Sequence, residues 1–251
     1  MTDPDAHKET YLKPAADIDA TLGMGEAFLQ ASSAISTDDP DEADFSFILP
    51  ARWKADWQPE TTEYPLPLPA SQADFTRKTV RAFDPHRDVT GDLLACLSRL
   101  LTTNRHGGRS YPSPGRLYPV EVFVCPAQGP AIWFDAAARP LTLPTGPALW
   151  QALQTSDLRG SGATVATVLA INLPRISRKY LSRGIRYGLI EAGAIAMRLE
   201  IELRQRGLDC FWLGGFDDGL IATALAPTRP EALRPILVIG HGLAAEGSAL
   251  R

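Results

Sequence analysis

The sequence predicts a mixed α/β or α+β domain, because helical and strand patterns alternate over its C-terminal two thirds. The clearest helix covers residues 186–207, a long segment without breakers that ends at Gly207. The clearest strands are 120–125 and 234–242, which are short and rich in β-branched residues. No G-x-G-x-x-G follows an early strand, so a dinucleotide-binding fold of the Rossmann type is not predicted.

Hydrophobic spacing predicts the other elements between these segments. The first half of the 186–207 helix is apolar nearly all round, which predicts a central, buried helix. The remaining predictions are helices over 89–103 and 146–154, and strands in "AIWFD" (131–135), 163–172 and "LDCFWLGGF" (208–216), the last of which ends in a glycine turn.

The chain divides into an N-terminal segment, residues 1–70, and a folded domain, residues 71–251. The segment is acidic and punctuated by prolines: residues 1–45 hold eleven acidic residues and two lysines, a balance of −9. The other residues carry +5, because the whole chain carries −4. We expect the segment to dock onto the body or a partner, or to be partly flexible. The mildly basic body fits an anionic cofactor and does not indicate nucleic acid.

Several classes of protein are disfavoured by the sequence. The sequence contains no run of about 18 apolar residues, so no membrane span is predicted. The acidic N-terminus does not resemble a signal peptide, so a cytoplasmic location is expected. The three cysteines are far apart and the four histidines are scattered, so no metal site is predicted. Cys125 and Cys210 adjoin apolar runs and are expected in the core.

The segment "FTRKTVRAFDP" (75–85) could grip a phosphate. Arg77, Thr79 and Arg81 alternate, so in an extended chain their side chains share one face. Guanidinium groups bind phosphate oxygens with two hydrogen bonds. An ordinary solvated edge explains the same pattern, and spacing alone favours that explanation.

Two glycine-containing loops could approach a ligand. "RSYPSPGRLYPVEVFVC" (109–125) places three prolines before a buried strand, which would hold Ser113, Gly115 and the nearby amides rigidly. "WLGGFDDG" (212–219) ends a strand with Gly214 and Gly215, where a flat ligand could come close to the backbone. A stiff surface connection and a tight turn are the simpler explanations.

The cationic segment "PRISRKYLSRGIRY" (174–187) could carry acid–base chemistry. Crowded positive charges favour the deprotonated form of a neighbouring lysine or tyrosine. Lys179 and Tyr180 could therefore accept or donate a proton. From composition alone, a basic loop remains the better explanation.

The order of these motifs resembles the nitroreductase-like flavoprotein superfamily over about residues 74–242, and most of all its subgroup of SagB-type dehydrogenases, which oxidise azolines in ribosomally made peptides. "RKTVRAF" is similar to an opening R-x-S-x-[RK]-x-F element, and "YPSPGRLYPVEVFV" to P-S-x-G-x-L-Y-P-x-E-[VL]-[FY]. "RKYLSRGIRYGLIEAG" resembles the K-Y…R-x-[YF]-R-[YM]-x-L-[LM]-E-[AT]-G block, and "GLDCFWLGGFDD" the glycine-rich stretch that follows.

The resemblance implies an α+β fold with a central, mostly antiparallel sheet flanked by helices. It also implies a two-fold dimer with flavin mononucleotide (FMN) at the interface. The implied cofactor-binding residues are Arg77, Thr79, Arg81, Ser113, Gly115, Gly214, Gly215 and His241. Lys179 and Tyr180 occupy the position of the subgroup's catalytic Lys-Tyr pair.

The implied activity is FMN-dependent oxidation of peptide thiazolines or oxazolines to thiazoles or oxazoles. The implied partners are an azoline-containing precursor peptide, a cyclodehydratase and a precursor-recognition subunit. Two departures stand out: Ala194 replaces a histidine of many SagB-type chains, and His241 stands where many relatives have an arginine.

Two other functions remain open from the sequence. One is a nitroreductase-like oxidoreductase that uses reduced nicotinamide on small molecules, which the Lys-Tyr pair disfavours. The other is a non-catalytic scaffold subunit of a peptide-modifying complex, which only Ala194 favours.

Overall fold

The computed structural model describes residues 79–246, so residues 1–70 and the predicted boundary at residue 71 lie outside the described part. The helices are α1 (Thr90–Leu101), α2 (Gly146–Leu153), α3 (Leu173–Tyr180), α4 (Arg183–Arg204) and α5 (Asp218–Leu225). The strands are β1 (Val120–Pro126), β2 (Ala131–Phe134), β3 (Pro140–Leu143), β4 (Val165–Asn172), β5 (Asp209–Leu213) and β6 (Leu233–Gly242). Short 3₁₀ turns cover Pro114–Arg116 and Pro230–Ala232.

The six strands form one sheet in the order β3-β2-β1-β4-β6-β5, and each neighbouring pair is antiparallel. β1 and β4 are buried along almost their whole length because the sheet is covered on both faces. The prediction of a mostly antiparallel sheet flanked by helices is confirmed.

Side chains alternate between the two faces of the sheet, and each face has its own core. Val122 and Val124 of β1 pack with apolar residues of α1 and α4, whereas Phe123 packs with residues of α2 and α5. Cys96, Cys125 and Cys210 are buried and form no disulfide among the described residues, and burial was expected for Cys125 and Cys210. Burial raises the pKa of the Cys125 thiol to about 12.

Two glycines of α4 let this helix lie very close to its neighbours. A Cβ on Gly188 would come within 2.5 Å of Ile171 in β4, and one on Gly184 within 2.9 Å of Ile176 in α3. These contacts hold the first turns of α4 against the end of β4 and against α3, and so position the α3–α4 corner.

Two details differ from the sequence predictions. Residues 173–180 form a helix, where a basic loop was the favoured explanation; the Asn172 side chain caps it by accepting from the Arg175 N–H, 3.1 Å away. The long helix is not buried all round, because Ile190, Met197 and Ile201 remain 59%, 42% and 43% exposed.

Across residues 79–246, no helix has the length and apolar character that a membrane crossing requires.

Candidate functional site

The loop before β1 is held in a folded-back shape by its own serine. Ser113 Oγ accepts a hydrogen bond from the Tyr118 N–H at 2.8 Å, which closes the turn around Gly115. Gly115 has a φ of +58°, a left-handed conformation that glycine adopts without steric cost. The rigid loop predicted from the prolines is therefore a compact turn.

Backbone strain is concentrated in two segments that face each other. Among residues 79–246, four non-glycine residues have positive φ, and three of them are Arg116, Tyr118 and Leu181. Arg116 and Tyr118 belong to the Gly115 loop, and Leu181 follows Tyr180 directly. Such residues cost about 1–3 kcal/mol each and tend to cluster at functional sites.

The two strained segments meet at Gly115. A Cβ on this residue would lie 2.8 Å from Lys179 Nζ and 2.9 Å from the Tyr180 hydroxyl. Lys179 Nζ also lies 5.5 Å from the centre of the Tyr180 ring. Lys179 and Tyr180, which are 64 and 65 positions after Gly115 in the sequence, thus meet it in one corner. We call Gly115, Lys179 and Tyr180 the Gly115 corner.

The Tyr180 ring is fixed by apolar and aromatic contacts. Its centre lies 4.7 Å from that of Tyr187, one turn into α4, at an interplanar angle of 59°. Tyr180 and Leu117 also pack against a small core that includes Ile176 and Ile185. The hydroxyl is therefore presented at a defined place while the ring is half-buried.

Glu191 ties the Gly115 loop to α4, a role that the sequence analysis missed. Its Oε1 accepts from the Val120 N–H at 3.3 Å, whereas its buried Oε2 has no hydrogen-bond partner among the described residues. Burial raises the pKa of Glu191 from 4.5 to about 7, although the nearby Ser113 side chain, the Val120 hydrogen bond and the charges of Arg109 and Arg175 act in the opposite direction. The glutamate of "IEAG" was visible in the sequence, but its partner 71 residues away was not.

Two arginines brace the other side of the loop. The Arg109 guanidinium lies over the Tyr118 ring, with 4.5 Å from its carbon to the ring centre, and the Arg109 backbone N–H donates to the Tyr118 hydroxyl at 2.9 Å. Arg175 donates to the Tyr118 carbonyl at 2.7 Å and pairs with the buried Glu121 at 2.6 Å. Arg175 thus stabilises the fold through these contacts, unlike the other cations of the segment 174–187.

Gly214 and Gly215 lie in a different environment. Both are exposed, and a Cβ on either would meet nothing within 4 Å. The space that a flat ligand would need is present there, but no contact joins these glycines to the Gly115 corner.

Two of the three residues predicted to bind phosphate in the opening segment lie in the described part of the chain. Arg77 lies outside the described residues, and Thr79 is partly buried near the first described position. Arg81 is exposed, 3.5 Å from the Asp157 carboxylate and 5.7 Å from the centre of the Phe211 ring. Their roles in cofactor binding stay predictions.

His241 is completely buried within the sheet. Its Nε2 lies 2.8 Å from Thr167 Oγ1, and burial lowers the pKa of the ring to about 3. A buried, neutral imidazole is poorly suited to bind a phosphate from solvent. The phosphate contact of His241 stays a prediction, which the complete burial of its ring does not favour.

Comparison with known proteins gives a family and a fold. The Nitroreductase family model matches residues 75–241, which is more than half of the chain. No curated protein sequence matches the chain.

Three solved structures show the same fold. A chain of the E. coli microcin synthetase McbBCD complex, with truncated pro-MccB17 bound, has a TM-score of 0.68 at 18% identity, covering 98% of this chain and 99% of that one. A protein from Ralstonia eutropha described as a nitroreductase has a TM-score of 0.56 at 24% identity, with coverages of 72% and 89%. One from Anabaena variabilis, described likewise, has a TM-score of 0.54 at 18% identity, with coverages of 67% and 37%.

Proposed function

The chain belongs to the nitroreductase family, and we propose that it is an FMN-dependent dehydrogenase that oxidises thiazolines or oxazolines in a ribosomally made peptide. The observation that carries this proposal is the Gly115 corner, where a lysine and a tyrosine meet a left-handed glycine in a strained loop. The motifs of the SagB-type subgroup provide the match between this corner and azoline oxidation.

The described residues fit a flat, anionic cofactor. Open space surrounds Gly214 and Gly215, and the backbone at Gly115 approaches the Lys179 and Tyr180 side chains as closely as only a glycine allows. We propose that Arg77, Thr79 and Arg81 hold the phosphate and ribityl chain, and that the three glycines and the Ser113 loop border the ring system. FMN supplies the redox chemistry when bound, because it accepts a hydride.

The chain itself has to remove a proton. Conversion of an azoline to an azole removes two hydrogens from the ring, one as a hydride and one as a proton. Tyr180 or Lys179 is placed to take that proton, and the neighbouring cations would stabilise negative charge that develops on the phenol oxygen. General-base assistance of this kind contributes about 10²–10⁴ in rate.

A peptide-modifying complex is the proposed setting. The solved chain with the TM-score of 0.68 comes from a synthetase complex with a precursor peptide bound, and the alignment extends over 98% of the present chain. We propose a cyclodehydratase and a precursor-recognition subunit as partners. The acidic residues 1–70 are proposed as a docking segment, separate from the FMN-binding domain at 71–251.

A homodimer is proposed from the outer face of α4. Ile190, Ala194, Met197 and Ile201 are spaced by four, three and four residues, the spacing of a helix–helix seam. Three of these side chains are at least 42% exposed although they are apolar. An exposed apolar stripe of this kind fits a second copy of the same helix.

The proposal is tested by cofactor content and by activity on a synthetic thiazoline peptide. Purified protein should show flavin absorbance and release about one FMN per chain on acid treatment. Tyr180→Phe should reduce turnover by about 10²–10⁴-fold, whereas Tyr187→Phe, which keeps the ring contact, should retain most of it. Lys179→Ala tests the other member of the pair.

Other outcomes would favour the alternatives. Rapid reduction of bound flavin by nicotinamide, with no azoline oxidation, would favour a small-molecule reductase. Protein that neither contains FMN nor takes it up would favour a scaffold subunit.

The dimer is tested by light scattering after size-exclusion chromatography. Wild type should have twice the mass of the chain, and Ile190→Glu combined with Met197→Glu should be monomeric because two buried charges would oppose the seam. Leu220→Glu is the matched control, since Leu220 is 49% exposed on α5. A monomeric wild type at micromolar concentration would contradict the proposal.

A further inference from the structure

Four cations around the α3–α4 turn have no charged partner among residues 79–246. Arg178 and Lys179 lie in the last turn of α3, and Arg183 and Arg186 in the first turn of α4. All four are exposed, and none forms an ion pair with a residue in the described part of the chain. We call these four residues the cationic patch.

The arginines further along α4 behave differently. Arg198 pairs with Glu202 at 3.3 Å, and Arg204 pairs with Glu200 at 3.1 Å, in each case four residues apart. The helix thus balances its charges in its C-terminal half and leaves them unbalanced at its start. Arg183 and Arg186 are three residues apart, a spacing at which like charges repel by a few tenths of a kcal/mol.

The surroundings of the patch also contain few acidic side chains. Residues 93–120 and residues 158–190 contain no aspartate or glutamate, and these two segments meet at the Gly115 corner. The nearest carboxyl groups in sequence, Glu121 and Glu191, are buried, and Glu121 is paired with Arg175. The patch therefore presents positive charge to solvent without a nearby carboxylate to compensate it.

We propose that the cationic patch binds acidic side chains of the peptide substrate and holds them beside Tyr180. This inference rests on the proposed function, because it assigns the substrate as a peptide with aspartate or glutamate near the reacting ring. Guanidinium groups suit this partner because they bind a carboxylate with two parallel hydrogen bonds. Lys179 belongs both to the patch and to the Gly115 corner, so a bound acidic residue would lie next to the reacting position.

A peptide fits the patch better than a nucleic acid does. Proteins that bind single strands interleave cations with exposed aromatic platforms on which bases stack. The two aromatic rings beside the patch, Tyr180 and Tyr187, instead contact each other and are only half-exposed.

The test measures binding of the full chain by fluorescence anisotropy, without any need for turnover. The probes are a fluorescein-labelled 12-residue peptide with six glutamates among glycines and serines, and the same peptide with glutamines. The acidic peptide should bind at least about tenfold more tightly at low salt, and this preference should shrink as salt rises to 0.5 M.

Arg183→Gln combined with Arg186→Gln should weaken the acidic peptide by about tenfold and leave the glutamine peptide unchanged. Arg159→Gln is the matched control, because Arg159 is an exposed arginine in the turn between α2 and β4 that forms no ion pair with any residue in 79–246. Circular dichroism verifies that each variant is folded, and Arg178→Gln replaces the double variant if that one is not.

Equal binding of the two peptides, or no effect of the patch variants, would overturn the inference. Tighter binding of a single-stranded RNA of equal length, lost in the same variants, would also overturn it in favour of nucleic acid. Because no flavin or azoline is involved, failure here is distinguishable from failure of the proposed activity.

Discussion

The Gly115 corner and the Gly214–Gly215 turn are both glycine positions assigned to one flavin, but the structure surrounds them differently. At Gly115, two side chains stand within 3 Å of where a Cβ would be, and the backbone is left-handed. At Gly214 and Gly215 nothing stands within 4 Å. The first glycine is needed by the folded chain itself, whereas the second pair would be needed only by a ligand.

The difference separates two kinds of evidence. Strain, a closed hydrogen-bonded turn and the anchoring glutamate all converge on Gly115 without any cofactor. Backbone strain persists only where the surrounding structure enforces it, so the strain around Gly115 indicates a functional position from the chain alone. The role of Gly214 and Gly215 depends on the family resemblance, so an experiment at these glycines tests the resemblance more than the fold.

Among substitutions at these glycines, the largest expected effect comes from Gly115→Ala. The added methyl group would displace the ends of Lys179 and Tyr180, and misplacement of reacting groups by about 1 Å costs about 100-fold in turnover. The left-handed backbone would add a stability loss of about 1 kcal/mol. Turnover on a thiazoline peptide and urea unfolding measure the two effects separately.

Gly214→Ala is the matched control for that comparison. Because a Cβ there meets no protein atom, its unfolding free energy should change by less than about 0.5 kcal/mol. Weaker FMN binding by Gly214→Ala, together with FMN binding retained by Gly115→Ala, would indicate that Gly214 serves the cofactor and Gly115 serves the fold and the reaction. Full turnover in Gly115→Ala would contradict the placement of the reaction at the corner.

Most elements could be predicted from the sequence because their signals are local. The β-branched and aromatic residues of β1 and the long run that forms α4 lie in short windows of sequence. The prolines around Ser113 predicted a restricted loop, and the structure has a compact turn there. α3 was not predicted, because Arg175, Arg178 and Lys179 gave its segment the composition of a basic loop. The signal for the helix was Asn172, whose side chain caps its start.

The missed parts of the site depend on contacts between distant residues. Glu191 bonds a backbone amide 71 positions away, so no window of sequence contains both partners. In the sequence, His241 has the pattern of an ordinary residue at the end of a strand, but in the fold its ring is buried and hydrogen-bonded to Thr167 of β4. The resemblance put His241 among the cofactor-binding residues. The burial of its ring, by contrast, is a property of the packed sheet.

A smaller effect is expected in the pH dependence of stability. The buried groups Glu191 and His241 should contribute to it with opposite signs. Glu191 has a folded pKa of about 7 against 4.5, so the stability from its neutral form is present below pH 4.5 and is lost as pH rises through 7. His241 has a folded pKa of about 3 against 6.5, so its contribution is present above pH 6.5 and is lost as pH falls toward 3. Each slope is at most about 1.4 kcal/mol per pH unit.

Neutral variants separate the two contributions, which oppose each other between pH 4.5 and 6.5. Relative to wild type, Glu191→Gln should gain stability as pH rises through this range, and His241→Gln should gain stability as pH falls through it. Urea unfolding at half-unit steps of pH measures both, with the exposed Glu231→Gln as a control that should follow wild type. Parallel curves for Glu191→Gln and wild type would mean that this carboxyl group does not hold its proton in the fold, and the anchor of the Gly115 loop would then be an ionised one.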